Sequence, residues 1–567
     1  MDTAYLDRAL DDLQQHKTEW ARLPIPDKIE YLGRLRENIG RVARRWVAAA
    51  CEAQGFTLES PWSGEEWTSG PYALAEGINA YEDTMRMLAR DRRPMENVPV
   101  STRPNGQVVA DVFPDTVQDR LFLSGHTAET WMMPEVTLEA LDDTVAVFYS
   151  EPEPEGAVAL ILGAGNIASI PPLDLLDQLL VKGQVAIVKL NPVNDYLGGF
   201  FEEIFAPMID AGWVRFAYGG VDVGTYLTYD ERVEAIHITG SAVTHNAIVF
   251  GSGPEGRQRR KNDEPILKKP ITSELGGVSP TIVVPGRWSN ADIRYQAEHL
   301  VTQRLHNNGF NCVASQVFVF PAGWPGAARL MDAIRGVIDE LPTRVPYYPG
   351  TEQRMNDVLA AYPSAELRPW GDQSVLIITE LDPNTSQFAF DNEFFGPGIA
   401  TTTLPGSGIP EFLANATAFA NHSLDGSLAV NIIVDPATAR REATVLDAAI
   451  ESLEYGTIAV NSWVGHAYGL PRIPWGGFPG ATLRNIESGI GFVHNGLMFD
   501  KAQRTVVRGP FAPFPRSLRK GERHMEPKPP TYLTNSNAAQ IGERLTKQAV
   551  SRQWLDMPGV FTSALRG

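Results

Sequence analysis

The chain contains two cysteines, Cys51 and Cys312, in different surroundings. A thiol is a strong nucleophile wherever its local field favours the thiolate. Cys312 follows the polar, glycine-containing segment Asn308-Gly-Phe-Asn and is a candidate nucleophile, whereas Cys51 lies in a helical stretch without a motif and is assigned a structural role. Two cysteines are too few for a disulfide framework or a thiolate zinc site, and no metal is predicted.

A second candidate is Glu274, which lies between Ser273 and Leu275 and precedes a glycine pair and a new apolar run. A carboxylate at this place is suited to general-base activation of water, and the alternative is a solvated loop carboxylate. Gly276 and Gly277 allow the backbone to pass close to a cofactor or substrate.

The segment Gly163-Ala-Gly165-Asn-Ile-Ala168 follows a predicted strand and precedes a predicted helix. It matches a dinucleotide-binding fingerprint. However, the next strand runs into Lys189 and Pro192 and does not end in an acidic residue. A tight strand-to-helix turn that needs small residues is the preferred interpretation of these glycines.

Short apolar runs alternate with helical stretches around these residues, which predicts a doubly wound parallel α/β sheet. The runs are 157–162, 185–188, 214–217 and 235–239, with helices near 172–182 and 197–211. A second α/β region begins at 281–284 and continues through 317–320 and 375–379. Residues 143–149 are predicted to form a strand and residues 251–270 a surface loop.

The amino-terminal region carries an amphipathic helical stripe. Its apolar positions are Leu32, Leu35, Ile39, Val42 and Trp46. In the whole chain of 567 residues, Lys and Arg number 49 against 68 Asp and Glu, a net charge of −19. This balance argues against general binding of nucleic acid or anionic membranes. No apolar run reaches the roughly 20 residues of a membrane span, and the acidic start lacks a signal sequence, so a cytoplasmic enzyme is expected.

An ordered set of motifs resembles the aldehyde dehydrogenase superfamily. The set comprises Ala186-Ile-Val-Lys189, Ile238-Thr-Gly-Ser241, Glu274-Leu-Gly-Gly-Val-Ser-Pro280, Asn308-Gly-Phe-Asn-Cys312, Glu393-Phe-Phe395-Gly-Pro397, Gly456-Thr-Ile-Ala-Val-Asn461 and Pro474-Trp-Gly-Gly477. The resemblance implies two doubly wound parallel-sheet domains, one for the coenzyme and one catalytic, with a small β-rich oligomerisation element. It also implies a homodimer or homotetramer.

The resemblance assigns catalytic roles to three residues. Cys312 would attack the aldehyde, Asn166 and the Cys312 backbone N–H would stabilise the oxyanion, and Glu274 would activate the water that hydrolyses the thioester. The NAD or NADP site would be formed by Lys189, Gly240, Ser241, Gly276, Glu393 and Phe395. Trp463, Tyr468 and Trp475 are expected either to line the aldehyde entrance or to pack in the core.

The implied reaction is NAD(P)-dependent oxidation of an aldehyde to a carboxylic acid. A coenzyme-A-acylating aldehyde dehydrogenase is the alternative, kept open by the basic residues of segment 251–270, and a catalytically silent nucleotide-binding scaffold is a third. Pro192 replaces the carboxylate that commonly follows the ribose-binding lysine in the family. Discrimination against NADP therefore loses one physical basis, because a carboxylate repels the 2′-phosphate.

The predicted boundaries place the coenzyme domain at 1–272, interrupted by an assembly segment at 136–155. The catalytic domain follows at 273–476. Residues 477–500 are expected to return to the assembly element, and 501–567 to form a carboxyl-terminal extension that wraps over the body or mediates assembly.

Overall fold

The computed structural model describes residues 3–553 and 557–564 and consists of two sheets flanked by helices. The α-helices span Thr3–Arg22, Ile25–Ala53, Ser63–Trp67, Ala73–Leu88, Val117–Phe122, Ile170–Leu180, Gly198–Asp210, Val221–Tyr229, Ala242–Phe250, Gly253–Asn262, Asn290–Leu305, Gly326–Glu340, Thr351–Ala361, Phe388–Asp391, Ile409–Ser423, Pro436–Arg441, Ala443–Ser452, Val464–Tyr468, Arg516–Arg519, Ala538–Ser551 and Met557–Ala564.

The smaller sheet has six strands, all parallel except the short one at its first edge. In spatial order they are Gly489–Ile490, Ile271–Leu275, Ala235–Gly240, Val158–Leu162, Val185–Lys189 and Val214–Ala217. The four apolar runs between residues 157 and 239 are therefore confirmed as neighbouring strands. Their side chains are almost completely buried, because helices cover both faces of a doubly wound sheet.

The larger sheet has eleven strands. In spatial order they are Val100–Thr102, Val108–Phe113, Thr127–Met132, Ala502–Arg508, Thr457–Val460, Ala429–Ile433, Ser279–Val283, Ser315–Pro321, Gly398–Leu404, Gln373–Leu381 and Glu366–Trp370. Pairing is parallel from Ala502–Arg508 through Gln373–Leu381 and antiparallel at both ends. This arrangement confirms the second α/β region and the α/β fold class.

The β-rich element lies elsewhere than predicted. Residues 136–155 contain no strand, and the antiparallel extension of the larger sheet is built from segment 100–132 together with Ala502–Arg508. The segment 477–500 returns instead to the smaller sheet, where Gly489–Ile490 pairs with Ile271–Leu275. Strand Ala502–Arg508 lies inside the larger sheet, so the extension begins after it.

Two local predictions are wrong. Residues 143–149 form short 3₁₀ turns rather than a strand, held by a bridge between Val145 and Phe499. The polar segment 251–270 contains helix Gly253–Asn262, which has proline near its start, an acidic first turn and basic residues in its last turn. Those features stabilise a helix through its dipole even without an apolar face.

The amino-terminal stripe is confirmed, because all five of its residues are buried in helix Ile25–Ala53. The end of the chain packs over the body: helix Ala538–Ser551 lies against Ser63–Trp67, where Gly64 and Gly542 permit close contact. Within residues 3–553 and 557–564, no helix is long and apolar enough to span a bilayer.

Candidate active site

The carboxyl ends of the parallel strands in the smaller sheet gather several predicted residues. Leu162 is aligned with both Lys189 and Ile238 on the neighbouring strands. The loop with Asn166 therefore emerges at the same edge as Lys189 and the Gly240-Ser241 pair. This edge is where doubly wound sheets bind their ligands.

Cys312 lies beyond helix Asn290–Leu305, after a sharp turn in which Asn307 and Asn308 adopt positive φ values of 52° and 58°. Asparagine tolerates this conformation better than most residues. Cys312 is half-buried and lines a cavity of about 560 Å³. Its thiol lies close enough to the carboxylate of Glu274 for each group to shift the pKa of the other.

Glu274 is 4% exposed at the end of strand Ile271–Leu275. The indole Nε1 of Trp475 donates to Glu274 Oε1 at 3.3 Å. Burial, together with the nearby Asp174 carboxylate, raises the pKa of Glu274 to about 7. A carboxyl with this pKa is suited to proton transfer near neutral pH. The solvated-loop alternative does not fit this burial.

The Cys312 thiol is protonated in this state, because burial and the carboxylates of Glu274 and Glu393 raise its pKa well above the ordinary value. The nearby Glu274 carboxylate is a potential acceptor for the thiol proton. Thiolate formation and carboxylate protonation are thereby coupled in a single pair.

Asn166 contacts the nucleophile loop directly. The side-chain Nδ2 of Asn166 donates to the backbone carbonyl of Phe310 at 2.9 Å. The backbone carbonyl of Asn166 accepts from Asn307 Nδ2 at 2.9 Å and from the Tyr347 hydroxyl at 3.1 Å. Because a side-chain amide carries two N–H groups, one remains available to an oxyanion. The loop thus fixes Asn166 relative to the residues preceding Cys312.

The predicted lysine and glycine-serine pair lie where a dinucleotide can be bound. Lys189 is 9% exposed, burial lowers the pKa of its ammonium, and its side chain makes no hydrogen bond or ion pair with any described residue. Ser241 caps helix Ala242–Phe250 by accepting from the Thr244 N–H at 3.2 Å. The strands that end at Lys189 and Gly240 flank the strand Val158–Leu162, so a helix start and a buried cation lie at the same edge of the sheet, an arrangement that suits phosphate and ribose hydroxyls.

Gly276 and Glu393 are in contact, although 117 positions separate them in the chain. A Cβ at Gly276 would lie 2.5 Å from Glu393 Oε2, so a side chain at position 276 would clash with this carboxylate. Burial raises the pKa of Glu393 to about 8, although Arg304 opposes the effect. Phe395 is half-buried beside Tyr348, with ring centroids 5.0 Å apart, whereas Phe394 is ordinary core.

Sequence reasoning missed a buried polar network behind Glu274. Thr239 donates to Asp174 Oδ2 at 2.8 Å, and His237 Nε2 lies 3.6 Å from the same oxygen. Asp174 belongs to a helix whose residues are uniformly buried, so no amphipathic pattern marks it as polar and functional. Arg304, buried beside Glu393, was missed for the same reason.

The three aromatic residues Trp463, Tyr468 and Trp475 all line the cavity that contains Cys312. Among the described residues, no group of three or more His, Cys, Asp and Glu side chains is arranged to hold a metal ion.

Comparison with known proteins agrees with this geometry. The sequence model of the aldehyde dehydrogenase family matches residues 128–326. Aldehyde dehydrogenase family 3 member A2 of Rattus norvegicus is 22% identical over 260 residues, 44% of this chain and 50% of that protein. Succinate-semialdehyde dehydrogenase [NADP(+)] of Mycobacterium leprae is 31% identical over 122 residues, 22% of this chain and 21% of that protein. The chain thus spans at most about half the length of these relatives.

The crystal structure of Mycobacterium tuberculosis aldehyde dehydrogenase complexed with NAD⁺ superposes with a TM-score of 0.56 at 18% identity, covering 89% of this chain and 90% of that one. The fold is therefore a two-sheet α/β architecture of the dehydrogenase type. Residues 128–326 thus resemble the aldehyde dehydrogenase family in sequence, and 89% of the chain resembles an aldehyde dehydrogenase in fold.

Proposed function

We propose that this protein oxidises an aldehyde to a carboxylic acid with NAD or NADP. The observation that carries the proposal is the position of Cys312 at the wall of a large cavity and close to the buried carboxylate of Glu274. The family match and the similarity to NAD- and NADP-linked dehydrogenases support it.

The first step is addition of Cys312 to the aldehyde. Glu274 takes the thiol proton, and the sulfur forms a bond to the carbonyl carbon. The oxyanion is stabilised by the free N–H of Asn166 and by the Cys312 backbone N–H, a kind of contact typically worth ~3 kcal/mol. Lys189, Ser241 and Glu393 would hold the dinucleotide, which would supply the acceptor for the hydride that leaves this carbon.

The second step is hydrolysis of the resulting thioester. Glu274 first releases the thiol proton to solvent and then removes a proton from water. The hydroxide adds to the acyl carbon, and the carbon–sulfur bond breaks to release the acid. Cys312 then regains a proton. A carboxyl whose pKa is about 7 can alternate between both forms in one cycle, which is what these two steps require.

The test compares Cys312→Ala with Cys51→Ala on a panel of aldehydes, with NAD or NADP and with or without coenzyme A. We expect Cys312→Ala to abolish cofactor reduction and Cys51→Ala to retain it, because Cys51 is buried in helix Ile25–Ala53. Normal turnover by Cys312→Ala would overturn the covalent mechanism. Strict dependence on coenzyme A would favour acyl transfer to a thiol instead of water.

A further inference from the structure

The cavity that reaches Cys312 is completed by the end of the chain. We use the name C-terminal cap for residues 526–553 and 557–564. Helix Ala538–Ser551 of the cap contributes Ile541 and Leu545 to the cavity wall, and the preceding segment contributes Pro527, Pro529 and Pro530. The same cavity is bounded by Cys312 and by aromatic residues of the catalytic region.

The cap is fixed to the body by specific contacts. Glu526 Oε2 lies 2.9 Å from His126 Nδ1, and both side chains are buried. The Leu533 N–H donates to Thr302 Oγ1 at 3.1 Å, and Asn79 Nδ2 donates to the Ala549 carbonyl at 3.0 Å. These contacts anchor the cap at three separate points, so its apolar side chains form a permanent wall.

The cavity is large and its walls are mainly apolar. At about 560 Å³ it falls within the size range of sites that enclose ligands much larger than a two- or three-carbon aldehyde. A small aldehyde would leave water against Ile541 and Leu545. An aldehyde with an extended apolar body would displace that water and gain binding in proportion to the area buried.

The charged residues at the wall offer little to an anionic substrate. Every lysine and arginine among the described lining residues already has an acidic partner: Arg552 pairs with Asp83, Arg472 with Asp115 and Lys528 with Glu298. Burial lowers the pKa values of His306 and His466, which are therefore uncharged. The same wall carries the carboxyl groups of Glu76 and Asp119, whose pKa values are raised by burial, and neither offers an anionic substrate a favourable contact.

We propose that the C-terminal cap is a specificity element that selects uncharged aldehydes with a long or bulky apolar body. This inference rests on the proposed function, because it assumes that Cys312 is the residue that meets the aldehyde. It assigns the selection to Ile541 and Leu545, which lie in a part of the chain beyond the residues matched by the family's sequence model.

The experiment measures kcat/KM for unbranched aldehydes from butanal to decanal, and for succinate semialdehyde as the anionic probe. We expect kcat/KM to rise with chain length by up to roughly fourfold for each buried methylene until the cavity is filled. We expect succinate semialdehyde to be at least about tenfold poorer than butanal, because its carboxylate finds no free cation.

The paired variants Leu545→Trp and Leu545→Ala test the cap itself. Leu545→Trp should lower the decanal-to-butanal ratio of kcat/KM by about tenfold or more, whereas Leu545→Ala should leave or raise the ratio for the longest aldehydes. Leu367→Trp, at an exposed position on an edge strand, is the control and should not change the ratio. Thermal melting confirms that each variant is folded.

The outcomes separate this inference from the proposed function. If all aldehydes are oxidised with similar kcat/KM and Leu545→Trp affects every chain length equally, the cap does not select substrate, although the proposed function stands. A preference for succinate semialdehyde over butanal would also overturn the inference. If Cys312-dependent oxidation of every aldehyde is absent, the proposed function fails and this inference fails with it.

Discussion

At the scale of single residues, the proposed mechanism depends on the pair of Cys312 and Glu274. Both side chains have raised pKa values because they are removed from water and close to other carboxylates. Such perturbed groups in a cavity are typical of catalytic sites. The same burial makes each group sensitive to the protonation of the other, so variants of Glu274 are expected to change both rate and pH dependence.

Glu274→Gln should slow the burst of cofactor reduction, because the Cys312 thiol loses its proton acceptor, and should slow steady turnover as well. Without a base for water, steady turnover is expected to fall by a factor on the order of 10²–10⁴. In the wild-type protein the steady rate should increase from about pH 6 to about pH 8, because Glu274 loses its proton around pH 7. Rapid-mixing kinetics across this pH range measures both effects. An unchanged burst would restrict Glu274 to hydrolysis, and unchanged steady turnover would remove it from the mechanism.

The stability of the same variant provides a control. The folded-state pKa of Glu274 lies above its ordinary value of 4.5, so ionising this carboxyl between the two values destabilises the folded protein as pH rises. Glu274→Gln should therefore gain stability over the wild type at about pH 8 by roughly 3 kcal/mol at most, and much less at about pH 5. Denaturant titration at both pH values measures the difference.

Cofactor preference is also decided by single residues. Pro192 offers no carboxylate against a 2′-phosphate, and the unpaired ammonium of Lys189 lies nearby in the chain. We expect NADP to be accepted, and Pro192→Glu to shift the ratio of kcat/KM values towards NAD by roughly tenfold. Kinetics with both cofactors tests this directly. Strict exclusion of NADP by the wild-type protein would show that another group protects the ribose site.

At the scale of elements, close helix packing attaches the cap. A Cβ on Gly64 would lie 2.5 Å from Ala538 Cβ and 2.6 Å from the Ala538 backbone carbonyl carbon, which cannot move without shifting helix Ala538–Ser551. We expect Gly64→Ala to destabilise the protein by about 1–3 kcal/mol. Chemical denaturation measures this loss, and the decanal-to-butanal ratio reports whether the cap has shifted.

The matched control is Gly33→Ala in helix Ile25–Ala53. A Cβ at Gly33 meets no atom within 4 Å, so the substitution should stabilise the helix by about 0.5–1 kcal/mol. If both glycine variants stabilised the protein, helix propensity rather than the contact with Ala538 would explain the effect of Gly64→Ala.

Elements with strong local patterns were predictable from the sequence. The four strands of the smaller sheet between residues 158 and 240 follow apolar runs, and their order follows from the alternation with helices. The strand predicted at residues 143–149 is wrong. Their β-branched side chains favour a strand, but no neighbouring strand is placed to pair with them along their length. Tertiary context decided the conformation there.

Only those residues of the candidate site that lie in sequence motifs were predictable. The structure brings Cys312, Glu274, Gly276 and Glu393 close to one another, and their roles in catalysis and cofactor binding stay predictions. The hydrogen bond from Trp475 to Glu274 joins residues 201 positions apart, and the contribution of the cap to the cavity depends on packing between distant helices. No local pattern in the sequence encodes contacts of this range.

At the scale of the whole molecule, one buried ion pair connects three distant segments. Arg344 and Glu65, 1% and 6% exposed, form a salt bridge at 2.6 Å, and Arg344 also donates to Gln54 Oε1. Glu65 Oε2 accepts from the backbone N–H of Asn307, in the turn that leads to Cys312. The pair thus links the amino-terminal helices to the nucleophile loop and to the segment around residue 344.

Removing one member of this pair should lower the free energy of unfolding, because the other would remain charged and buried without its ionic partner. We expect Glu65→Leu or Arg344→Met to destabilise the protein by about 3–5 kcal/mol, and the double variant to lose clearly less than the sum of the two. Glu65→Leu should also lower kcat, because Asn307 loses its acceptor and the turn before Cys312 is no longer fixed. Urea titration of the wild type, the two single variants and the double variant, combined with steady-state kinetics, measures the coupling. Additive losses would show that the two side chains act independently, and unchanged kcat in Glu65→Leu would separate this ion pair from the nucleophile loop.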